Sequence, residues 1–134
     1  MDDEARDPEI GKRRAGFVPD VLDSSVIAFP LMERLKNEPD RLHHIVIDLN
    51  LNYPGGREEA RKRATTLIEQ AIESTNESEG RGASGDAGSQ YIFATLDAQA
   101  IKAVVRMDRE AAGDALTQRA IFHVWPDFEI RALT

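Results

Sequence analysis

Tyr91-Ile-Phe-Ala-Thr-Leu-Asp-Ala-Gln-Ala-Ile-Lys-Ala-Val-Val105 changes character once, at Asp97. Residues 91–96 read as a strand. Asp97 suits a helix N-cap, where its carboxylate accepts from an otherwise unpaired backbone N–H of the first turn. Leu96 and Ile101 stand where a hydrophobic staple closes across such a cap. Ile101, Val104 and Val105 then supply the buried stripe of the helix. Its pattern blurs after Met107, Gly113 breaks it, and residues 115–118 allow a short second helical segment. A further strand is expected over 120–125. Beyond it Pro126 bars regular pairing, and residues 127–134 read as an extended C-terminal segment.

Upstream, residues 44–52 give the clearest alternation in the chain. Ile45, Ile47, Leu49 and Leu51 interleave with Val46, Asp48 and Asn50, which predicts a strand with one buried face. Tyr53-Pro-Gly-Gly56 closes it with turn chemistry. Over 57–74, Ala60, Ala64, Leu67, Ile68, Ala71 and Ile72 fall on one helical face, with Glu58, Arg61, Lys62, Glu69 and Glu73 mostly on the solvent side. Residues 75–90 are rich in glycine, serine and acids and hold no large apolar side chain, so they read as a flexible loop.

Two helices set between strands predict an α+β domain of the ferredoxin-like kind: an open antiparallel sheet with both helices on one face. It spans residues 43–134. Ahead of it, residues 17–42 form an extension with a short helix. Pro30 stands in the first turn, Leu31, Met32 and Leu35 turn inward, and Pro39 ends it. Residues 1–16 carry one aliphatic side chain, Ile10, among mixed charges and read as a disordered tail.

The chain has 134 residues, 41% hydrophobic and 31% charged, which fits one small domain of modest core. Its net charge of −7 repels phosphate backbones and anionic membranes, so neither nucleic acid nor membrane is the expected partner. No run approaches the roughly 18 apolar residues of a membrane span, and residues 1–16 lack the apolar core of a secretory signal. There is no cysteine, so disulfide and thiolate chemistry are excluded. The three histidines, His43, His44 and His123, show no metal-ligand spacing with carboxylates, and the adjacent pair points to opposite faces of its strand. No cofactor is expected.

The stretch 91–105 resembles the second half of a subtilisin-like protease propeptide, in which a strand ending Ala-Thr-Leu-Asp runs directly into a helix. Here that element is Ala94-Thr-Leu-Asp97. It is followed by an aromatic and valine strand, Ile121-Phe-His-Val124, an acidic residue, Asp127, and the tail Ile130-Arg-Ala-Leu-Thr134. His44-Ile-Val-Ile-Asp48 and the helix after it resemble the family's first strand and helix. The family also has a strand between its first helix and the Ala-Thr-Leu-Asp strand, where this chain has the unpatterned residues 75–90.

The resemblance implies a non-catalytic domain that chaperones and inhibits a subtilisin-like serine protease, in cis or in trans. The sheet would dock on the protease surface. Ile130, Arg131, Ala132, Leu133 and Thr134 would lie in the substrate cleft as an added strand. Leu133 or Thr134 would meet the primary specificity pocket, and alignment on Asp127 favours Leu133. Asp127 matches an acidic position that faces helix N-termini of the enzyme, where a carboxylate meets unpaired N–H groups; an ordinary turn aspartate is the other reading. Trp125 is either an interface anchor or a core residue. Phe93, Phe122 and Phe128 read first as core, with some facing the partner. The chain holds neither a Gly-Thr-Ser nucleophile segment nor a His-Gly motif of a subtilase catalytic domain. The rival reading is a small ferredoxin-like regulatory domain that binds a metabolite or mediates dimerisation. An RNA-stacking role for Tyr91, Phe93 and Phe122 conflicts with the charge and lacks a Lys/Arg-Gly-Phe run.

Overall fold

The structure, a computed structural model, describes residues 24–75, 78–85, 89–113 and 118–127. The elements run α1 (Phe29–Asn37), β1 (His43–Leu49), α2 (Arg57–Thr75), β2 (Gly82–Ser84), β3 (Tyr91–Leu96), α3 (Ala98–Ala112) and β4 (Ile121–Pro126). The four strands form one antiparallel sheet in the order β2-β3-β1-β4, the ferredoxin-like arrangement.

Alternation in the strands builds the core. Ile45, Ile47, Leu49, Ile92, Ala94, Leu96, Ile121 and Val124 bury one face of the sheet. Ala60, Ala64, Leu67, Ile68 and Ala71 of α2 meet them there with Ile101, Val104 and Val105 of α3. Leu31 and Leu35 of α1 join the same cluster, so the N-terminal extension shares the core of the sheet.

Asp97 caps α3 through a 2.8 Å bond from the Ala100 N–H, and Gly113 ends it with φ 62°. Before α2 the chain turns through Gly55 and Gly56 at φ 90° and 84°, a left-handed backbone that glycine adopts without penalty.

The structure departs from the sequence pattern in three places. Residues 75–90 contribute a strand, β2, which pairs through its backbone with β3; Gly82, Ala83 and Ser84 carry too little side chain to show an alternation. β1 stops at Leu49, leaving Leu51 outside the buried face at 52% exposure. The cause is Asn50, whose Oδ1 accepts from the Asn52 N–H at 3.0 Å and whose Nδ2 donates to the Arg119 carbonyl at 2.8 Å, turning the chain out of the sheet. Pro126 lies inside β4, opposite Ile45. A proline lacks a donor, and a strand end is where the ladder tolerates that loss.

Residues 1–23, the 115–117 part of the second helical segment, Phe128 and the tail 130–134 lie outside the described residues.

Candidate binding face and the end of β4

The described helices cover one face of the sheet, and the opposite face carries, with other side chains, Trp125 and Phe93, which the sequence weighs for partner contact. Register places them in rungs across the strands. Thr95 stands beside His44, Phe93 and Trp125 flank Val46, and Tyr91 and His123 flank Asp48. The middle rung is apolar: Val46 is fully buried yet lies outside the helix-side core, between its neighbours Phe93 and Trp125. The outer rungs are polar. His44 Nδ1 lies 2.9 Å from Thr95 Oγ1, and Gln90 Nε2 donates to Asp48 Oδ1 at 3.0 Å.

A bulge shapes the β4 side of this face. Leu49 pairs with Ile121 and Asp48 with His123, so Phe122 is an extra residue on β4. The bulge re-aims Phe122 and leaves it 56% exposed, its ring 4.3 Å from His123; His123 in turn lies 5.5 Å from Trp125. Three aromatic rings thus follow one another along β4, and Phe93 stands across Val46 from them. Phe93 and Phe122 belong to this face rather than to the helix-side core. Trp125 is half-buried here as well.

Asp127 follows β4 with 9% of its surface exposed. With His44, Gly82, Ser84, Phe93 and Thr95 it lines a shallow hollow of about 290 Å³. The hollow exists because Gly82 places no side chain beside Thr95. His43, one residue from His44, is buried on the other side, its Nε2 2.9 Å from the Glu38 carbonyl oxygen. Among the described residues no three His, Cys, Asp or Glu side chains cluster as a metal site, and no helix is long and apolar enough to cross a membrane.

Some residues that hold this face carry no motif in the sequence. Asp108 of α3 is buried and accepts from both the Ala120 N–H (2.9 Å) and the Ile121 N–H (3.0 Å), pinning the start of β4 to the helix. Burial raises its carboxyl above the ordinary 3.8, against the lowering pull of those two N–H donors and of Arg63 and Arg119. The signal for it was present: an acid seven residues after Ile101 falls on the buried stripe of α3. Arg81, which leads into β2, donates from Nη2 to Asp97 Oδ2 at 3.2 Å, while Oδ1 of the same aspartate caps α3. Arg61 of α2 donates to the Ser89 carbonyl and holds the chain leading into β3.

Comparison with known proteins returned no matching family model, curated protein or solved structure.

Proposed function

We propose that this domain binds a subtilisin-like serine protease as its propeptide, or as a separate inhibitor, and performs no catalysis of its own. The observation that carries the reading is the juxtaposition at the end of β4. Among the described residues no helix covers the aromatic face that runs through Trp125 to Asp127, and residues 130–134 follow two residues further on in sequence. The resemblance of residues 91–105 to the propeptide family, set on a sheet of ferredoxin-like order, points the same way.

In this reading the face packs on the protease surface, with Trp125 and the Phe122 ring as apolar anchors and Asp127 as the acid at the contact. The tail adds as a strand in the substrate cleft: main-chain hydrogen bonds give affinity, and Leu133 or Thr134 fills the primary pocket. Cleavage after the residue in that pocket would leave the tail as a bound product.

Deleting residues 130–134 is expected to weaken inhibition of a subtilisin-like protease by more than about tenfold, or roughly 1.4 kcal/mol of binding. The inhibition constant against a panel of such proteases measures it, and unchanged inhibition overturns the tail-in-cleft arrangement. A melting shift with small metabolites and no inhibition by the intact chain would favour the regulatory-domain reading instead.

A further inference from the structure

The outer edge of β4 is bonded at Val124. Residues 26–28 lie along it: Ile27 bridges Val124 in parallel sense, the Ala28 N–H donates to the Val124 carbonyl at 3.0 Å, and the Val124 N–H donates to the Val26 carbonyl at 2.9 Å. Val26 and Ile27 are buried beside these bonds, and α1 follows at once, with Leu31 and Leu35 sunk in the common core. β4 is thereby gripped on both sides, by β1 and by the strap. Val124, the gripped residue, stands three positions before Asp127, where the chain leaves the sheet.

We infer that residues 26–28 are a positioning strap for the end of β4: they hold the stretch from Val124 to Asp127 in place, and so set how well the Trp125 and Asp127 end of the face engages a protease. This rests on the function proposed above. The physical reason is preorganisation. A strand bonded on one side alone can splay at its end, and side chains on a splayed strand lose more freedom on binding. The strap needs no contact with the protease to have this effect.

Ala28→Pro tests it. Ala28 has φ −62° and ψ 146°, which proline adopts without strain, so the substitution removes the N–H donor and little else. Ala64→Gly in α2, far in sequence from strap and tail, serves as a control of comparable stability loss. At a temperature where both variants are folded, Ala28→Pro is expected to raise the inhibition constant about fivefold, the worth of one hydrogen bond, and Ala64→Gly to leave it unchanged. In the free protein, amide exchange at Val124 should quicken about tenfold in Ala28→Pro while the Leu49 amide, bonded to Gln90, stays protected.

Equal loss of inhibition in both variants, or none in Ala28→Pro, overturns the inference. If the unmodified chain inhibits no subtilisin-like protease, the proposed function falls and the strap's effect on affinity falls with it. The exchange pattern then decides alone whether the strap holds β4, and unchanged exchange at Val124 rejects that too.

Discussion

The two edges of the sheet are finished by different physics. At the β4 edge, a backbone strap bonds the six-residue strand at Val124, and apolar side chains beside it reach the core, Val26, Ile27, Leu31 and Leu35. At the β2 edge the strand has three residues, and among the described residues it pairs with β3 alone. Nearby polar side chains hold the chain around it: Arg81 bonded to Asp97, and Arg61 bonded to the Ser89 carbonyl. A short edge of small residues offers little for another chain to pair with, so it can be left bare. A longer strand such as β4 cannot. Burial serves the edge whose position must be fixed; polar tethers serve the edge that only has to stay closed.

That contrast can be broken by substitution. The largest effect should come from the β4 side. Leu31→Ala empties a fully buried site beneath the strap and is expected to cost about 2–5 kcal/mol in urea unfolding. A cost below about 1 kcal/mol would mean that α1 is a passive cover.

The next effect is at the start of β4. Asp108→Asn leaves one of two buried N–H groups facing an amide NH2 and is expected to cost about 1–3 kcal/mol. Its pH dependence has a definite sign. The folded chain holds the Asp108 proton to higher pH than the unfolded chain, because the folded carboxyl is raised above 3.8. The stability due to this group is therefore full below 3.8 and declines as pH rises through the raised value. The gap between wild type and Asp108→Asn should narrow over that window. A gap that widens there would contradict the assigned shift.

The smallest effect should come from the β2 side. Asp97→Asn keeps an acceptor for the Ala100 N–H but removes the charge facing Arg81, and about 0.5–1.5 kcal/mol is expected. Amide exchange should quicken in Gly82–Ser84 and not in β4. Loosening of both edges together would show that they are coupled and erase the distinction.

The same contrast explains what the sequence discloses. β1, α2, β3 and α3 are legible because each puts branched or aliphatic side chains on one face with a clean period, and Asp97 marks the junction of β3 and α3 by its chemistry. β2 is not legible, because Gly-Ala-Ser pairs through backbone atoms that every residue possesses. The strap escapes for a related reason, since Val26 and Ile27 alone make no period. The candidate face is half legible. Alternation in β1 places His44 and Val46 opposite the core, but Phe93, read first as core, joins them only once β3 is set against β1, and the exposure of Phe122 depends on a bulge that appears only when β4 is paired.

The strap also fixes when this fold can be completed. Ile27 and Val124 are roughly a hundred residues apart in sequence, and closing so large a loop repays its entropy only at the end. On a ribosome, β1 would wait in the middle of its sheet with its β4 side open until nearly the whole domain had emerged. Cooperative folding is then tied to the arrival of β4, so a chain that is cut short before β4 cannot close its sheet.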